Sequence, residues 1–136
     1  MEKKRIYYNK NINIRRGDII WLKKDAIPDN FGGSVQSFQR PYIVISNDIN
    51  NKKAPIVNVA CVSTQVKKSN YCMHTFINKD KYGLSRHSVV FAEQVMTIPK
   101  EFINCIVGHL DEEDMRKVNK SIYIQMINEK CDLSLV

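Results

Sequence analysis

Arg40-Pro41-Tyr42-Ile43-Val44-Ile45-Ser46-Asn47-Asp48 joins a cation, a proline, a short apolar run and a polar break. Proline fixes its own φ and has no N–H to donate, so Pro41 suits the first residue of a strand better than its interior. It also biases Arg40 towards an extended conformation. The reading that follows is a guanidinium held at the mouth of a buried strand. A second apolar run, Ile56-Val57-Asn58-Val59-Ala60-Cys61-Val62, ends in the hydroxyls Ser63 and Thr64. If the two strands pair, a cation and a hydroxyl converge on one rim, and such a rim suits a phosphate.

Working outward, the 136 residues suffice for one domain with a proper core and are too few for two. No apolar run is long enough for a transmembrane helix, and the basic start Met1-Glu2-Lys3-Lys4-Arg5 lacks the apolar stretch of a secretory signal. The four cysteines, Cys61, Cys72, Cys105 and Cys131, form no CxxC pair and are expected to be reduced thiols in a cytoplasmic protein. With no HExxH and no paired Cys/His spacing, neither a metal site nor a cofactor is expected. The formal net charge of +7 favours a polyanionic partner, although a Lys- and Asn-rich surface gives the same balance without one.

Residues 1–13 read as a polar N-terminal extension, 14–128 as the domain and 129–136 as a tail. Within the domain, Arg16-Gly17-Asp18 marks a turn before a strand at Ile19-Ile20-Trp21-Leu22. Lys24 to Gln39 forms a long loop rich in breakers, and such a loop is usually functional or mobile. Strands are expected at Tyr42 to Ser46, Ile56 to Val62, Met73 to Ile77, Ser88 to Val95 and Cys105 to His109. Turns fall at Asn47 to Pro55 and Asn78 to Gly83, and one helical turn near Pro99 to Phe102. Asp111 is placed to N-cap a helix, with Met115, Val118, Ile122 and Met126 at helical spacing along one apolar stripe. The expectation is a mainly β fold with a C-terminal α-helix (α+β): a small antiparallel barrel closed by that helix.

The order of these pieces resembles the MazF/PemK family of toxin endoribonucleases. The resemblance runs from Arg16-Gly17-Asp18 through Gly33-Ser34-Val35-Gln36, Arg40-Pro41 and Ser46-Asn47-Asp48. It continues through Lys67-Lys68, His74-Thr75, Gly83-Leu84, Ser88-Val89-Val90, Glu93-Gln94-Val95 and Ile106-Val107-Gly108-His109-Leu110. It implies an SH3-like barrel of the MazF/CcdB type, a homodimer, and metal-independent, sequence-specific cleavage of single-stranded RNA. It also implies a cognate MazE-like antitoxin whose peptide occupies the RNA groove. The family's catalytic arginine and hydroxyl fall on Arg40 and Ser63. Its RNA-binding positions fall on Ser34, Gln36, Phe38, Thr64, Lys67, Lys68, Met73, His74 and Gln94. Many members carry glutamate where Val35 stands, threonine at Ser63 and arginine at Met96.

Arginine suits phosphate because its rigid fork matches two oxygens at once and keeps its charge near neutral pH. His74 is the best-placed histidine for proton transfer or base contact, and a half-exposed strand residue without a role is the simpler account. His87 reads as a surface residue and His109 as structural. Lys52-Lys53 and Lys67-Lys68 are candidates to follow an RNA backbone, the second pair being nearer Ser63. Trp21 reads as core or dimer interface, and Phe38 as the better aromatic for RNA or antitoxin. Glu93 and Gln94 are placed at a strand end, as a buried polar pair or as base readers. Before Arg40 the long loop is cast as a lid. Two rival functions remain on the same barrel: a non-catalytic nucleic-acid-binding regulator, and a topoisomerase poison like the CcdB-type relatives.

Overall fold

The computed structural model describes residues 5–24, 40–68 and 70–128. In chain order the elements are β1 (Ile6–Tyr7), β2 (Asp18–Leu22), β3 (Tyr42–Val44), α1 (Asp48–Lys53), β4 (Ile56–Ser63) and β5 (His74–Ile77). They continue with α2 (Lys79–Tyr82), β6 (Ser88–Pro99), β7 (Ile103–His109) and α3 (Glu112–Met126), with 3₁₀ turns at Val66–Lys68 and Lys100–Phe102. The strands form one seven-stranded sheet in the order β1-β7-β2-β3-β4-β6-β5. All pairings are antiparallel. The fold class is the expected one, but the sheet is open: its outer strands, β1 and β5, do not pair with each other.

Alternation along the strands divides the apolar side chains between two faces. Ile20, Tyr42, Val44, Val57, Val59, Cys61 and Ile103 fill one core. Ile19, Ile43, Ala60, Val62, Ile77 and Val90 face the other way, where Val118 of α3 joins them and Met115 and Ile122 pack alongside. The predicted stripe therefore meets the sheet over most of its length, but Met126 is exposed in the last turn. Asp111 caps α3 by accepting the Asp114 N–H at 2.8 Å.

Several local structures differ from expectation. The stretch taken for a turn between β3 and β4 holds α1, because Asn47 caps it (Asn50 N–H, 2.9 Å) and Asn51 buries its amide against the Ser46 carbonyl at 2.8 Å. The polar segment before residue 14 contributes β1, with Ile6 opposite Ile106 and Tyr7 opposite Cys105. Cys72 is disulfide-bonded, which corrects the expectation of four reduced thiols. Cys61 and Cys105 are buried thiols outside any disulfide, and Cys131 lies outside the described residues. Missing CxxC spacing argues against a local bridge only, not against one between distant segments.

The RGD turn requires its glycine. Gly17 has φ +95°, and a Cβ there would meet His109 at 3.2 Å and Met115 at 3.3 Å. Asp18 accepts His109 Nδ1–H at 2.8 Å and the Arg15 N–H at 2.8 Å, tying β2 to β7. A second polar lock joins α2 to α3. Asp114 accepts from Tyr82 Oη at 2.6 Å and from Lys81 Nζ at 3.1 Å, and Tyr82 Oη also accepts the Asp111 N–H at 3.0 Å.

Two buried phenols carry a pH prediction. Burial pushes Tyr42 up to about 12, with Cys61 adding to the shift and the Arg40 charge opposing it. Burial, then the bond to Asp114, pushes Tyr82 up to about 12. A phenol raised in the folded state keeps its proton while the unfolded chain loses one. Stability is thus fully present below about pH 10 and is lost as pH rises towards 12, by on the order of 2 kcal/mol per tyrosine. Urea unfolding between about pH 9 and 12, which brackets the ordinary tyrosine range, should show this slope, and Tyr42→Phe should reduce it. An unchanged slope in Tyr42→Phe would refute the assignment to that residue.

Candidate functional site

Register alone brings the first two candidates together. Tyr42 faces Cys61, Ile43 faces Ala60 and Val44 faces Val59. Continuing that ladder towards the start of β3 sets Arg40 opposite Ser63. Arg40 Nη1 indeed donates to Ser63 Oγ at 3.2 Å. The same oxygen accepts the Gln65 N–H at 3.1 Å. With both acceptor positions used, the hydroxyl proton of Ser63 remains available to a further acceptor. The serine is buried and Arg40 half-buried, so the pair sits in a lowered dielectric beside the Tyr42 ring.

Immediately after Ser63 the chain tightens. Thr64 is exposed, its carbonyl accepts the Val66 N–H at 3.0 Å, and the 3₁₀ turn Val66–Lys68 packs on β6. Lys67 in that turn is exposed. Lys52 and Lys53 are instead at the end of α1, beside the first residues of β4. The first seven residues of β4, 56–62, separate that end from Ser63, a span of about 23 Å. The structure therefore associates only Lys67-Lys68 with the Arg40–Ser63 end.

The neighbouring row of the sheet runs Tyr42, Cys61, Phe91, His74 across four strands. His74 stacks on Phe91 with centroids 4.3 Å apart and meets the edge of Tyr71 at 4.9 Å. Its Nε2 donates to Glu93 Oε2 at 2.7 Å. The ring is only 5% exposed while the Glu93 side chain is 34% exposed, so the carboxylate is the outward-facing member of the pair. That arrangement differs from the half-exposed histidine expected from the strand pattern.

Its cause is a bulge. Phe91 faces Cys61 and Val95 faces Ala60, so Ala92, Glu93 and Gln94 have no partners on β4. The Ala92 N–H instead reaches the Met73 carbonyl at 3.0 Å. Glu93 and Gln94 thus do not end a strand, since β6 continues to Pro99. Gln94 Oε1 is buried and is the one such side-chain atom without a hydrogen-bond partner among the described residues. An orphaned carbonyl is costly, and a ligand N–H arriving there would relieve it. Sequence reasoning missed the His74–Glu93 pair because no local signal marks the bulge.

Ser34, Gln36 and Phe38, with the rest of the proposed lid, lie outside the described residues. Among the described residues no group of three or more His, Cys, Asp or Glu could hold a metal ion. No helix among them is long and apolar enough to cross a membrane. Trp21 is half-buried on β2 opposite Cys105, on the far side of β3 from Ser63.

Residues 15–126 match the family profile described as PemK-like, MazF-like toxin of type II toxin-antitoxin system. The chain is 34% identical over 113 residues to Endoribonuclease EndoA of Bacillus subtilis, covering 83% of this chain and 94% of that protein. Among solved structures, an endoribonuclease from Mycobacterial species superposes with a TM-score of 0.66 at 14% identity, covering 85% of this chain and 92% of that one. An endoribonuclease in complex with its cognate antitoxin, also from Mycobacterial species, gives 0.61 at 15% identity, covering 84% and 93%. The structural likenesses establish the fold. The profile and the sequence relative establish more: this chain belongs to the PemK-like, MazF-like toxins of type II toxin–antitoxin systems.

Proposed function

We propose that this chain is a sequence-specific endoribonuclease that cleaves single-stranded RNA without a metal, and that a cognate MazE-like antitoxin neutralises it. The contact between Arg40 Nη1 and Ser63 Oγ carries the reading, because it sets a fixed cationic fork beside a free hydroxyl proton. The substrate's own 2′-OH is the nucleophile. Its oxygen bonds to phosphorus as the bond to the 5′-oxygen breaks, and the 2′ proton is lost while the leaving oxygen gains one. The products are a 2′,3′-cyclic phosphate and a 5′-OH. Arg40 offsets the charge that builds on the non-bridging oxygens, and Ser63 donates to one of them.

Support for the substrate class comes from the relative named as an endoribonuclease and from the net charge of +7. Thr64, Lys67, Lys68, Met73, His74 and Gln94, with Ser34, Gln36 and Phe38 of the loop, are the proposed RNA contacts. The orphaned Gln94 carbonyl suits a base amine or imino N–H. Antitoxin binding is supported by the related fold solved with its antitoxin. Homodimer assembly and a cytoplasmic location complete the proposal.

The test is to incubate the purified protein with a long RNA in EDTA and map the ends. Discrete cuts with cyclic phosphates support the reading. Intact RNA with retained binding would favour a non-catalytic regulator instead. Ser63→Ala should lower kcat by roughly ten- to a hundred-fold, less than loss of a full oxyanion donor, because Arg40 remains. Ser63→Thr keeps the oxygen and should retain most activity; a Thr variant as impaired as Ala would point to a packing role.

A further inference from the structure

The row that contains Ser63 continues beyond it. Ser63 faces Val89 on β6, and Val89 faces Phe76 on β5. Side chains paired across strands share a face, so Phe76 looks out on the same side as Ser63 and Arg40. It lies two strand spacings from Ser63, about 10 Å. The 3₁₀ turn that carries Lys67 contacts the intervening β6. The opposite face of β5 is occupied: Thr75 bonds Ser121 of α3 at 3.2 Å and Ile77 enters the core.

Phe76 is 42% exposed, an unusual position for a phenylalanine in the middle of a strand. It is also held in place. The His87 ring packs against it with centroids 5.3 Å apart and planes at 41°. His87 is fixed in turn, because its Nδ1 accepts the Lys79 N–H at 3.1 Å. That bond leaves the ring proton on Nε2. Ser88 Oγ donates to the Arg86 carbonyl at 3.1 Å and pins the turn that presents His87. Arg86, next to His87 in the chain, is exposed, and Lys79 is half-buried.

We propose that Phe76, buttressed by His87, is a stacking platform for one nucleobase of the bound RNA, a subsite displaced along the sheet from the scissile phosphate. This rests on the ribonuclease reading and deepens it. An aromatic face accepts any base, so the platform contributes affinity and positions the strand rather than selecting a sequence. RNA is favoured over an apolar peptide because a single ring pair, too small for an apolar docking face, lies on the row of the Arg40–Ser63 pair.

The experiment uses the full-length protein and single-stranded RNAs that contain one mapped cleavage site. In the binding arm a 2′-deoxy residue at the reacting ribose blocks cleavage. Phe76→Leu keeps an apolar side chain but has no π face, whereas Phe76→Trp enlarges it. Expected results are a KM and Kd raised about tenfold in Phe76→Leu, with kcat changed far less, and recovery in Phe76→Trp. A series with one abasic residue at successive positions adds the discriminating result. One position should weaken binding to wild type yet cost Phe76→Leu almost nothing further. Equal Kd values for Leu and wild type, or identical abasic profiles, would overturn the platform. Loss confined to antitoxin binding would also overturn it. Wild-type protein that leaves every RNA intact would sink the ribonuclease reading separately, since the binding arm still reports on Phe76.

Discussion

Arg40→Ala is expected to lower RNA cleavage by about 10²–10³-fold while leaving the fold intact. That is the usual loss when one preorganised donor to a developing oxyanion is removed. Nothing in the sheet depends on the guanidinium: Arg40 is half-buried, precedes β3, and makes its recorded bond to Ser63. Truncation leaves Ser63 Oγ with the Gln65 N–H, so no buried acceptor is stranded. Arg40→Lys should not restore turnover, because an ammonium is a point charge without the paired donors. Single-turnover cleavage and a thermal melt check the two halves together. Wild-type turnover by Arg40→Ala would take the residue out of the mechanism, and a collapsed melt would make it structural.

Tyr42→Ala carries the second large effect, on stability. Tyr42 is fully buried, faces Cys61 across β3–β4 and belongs to the core with Val59 and Ile20. Removing a buried aromatic ring leaves a cavity and costs about 3–5 kcal/mol. β3 has three residues, so one lost anchor removes a large part of what holds it. The strand also positions Arg40, and cleavage should therefore fall along with the denaturation midpoint. Tyr42→Phe, which keeps the ring, should cost much less in chemical denaturation. If Tyr42→Ala unfolds at the wild-type denaturant concentration, the ring is not the anchor described.

The sequence showed the paired apolar runs clearly because proline at one end and hydroxyls at the other set the register. Arg40 and Ser63 were legible for that reason, as was the α3 cap at Asp111. What stayed hidden depends on contacts between distant segments. β1 contributes two residues whose strand character comes from pairing with β7, not from their own pattern. The apolar period of β6 is broken at Glu93 and Gln94, which suggests a strand end, whereas the strand bulges there and continues. The same bulge seats the Glu93 carboxylate on His74, a pairing across 19 positions that neither residue announces. Phe76 was passed over because strand phenylalanines are normally core, and only the register shows which face it takes.

Because Ala92, Glu93 and Gln94 lack partners on β4, their side chains carry no obligation to the β4 ladder. Replacements there need not slide any strand or re-sort inward and outward positions. Of the three only Glu93 is exposed, so single substitutions there can change the chemistry of this corner without shifting register, at the expense of the His74 bond. Change at this corner is decoupled from strand pairing and is limited instead by the His74 contact and the buried Ala92.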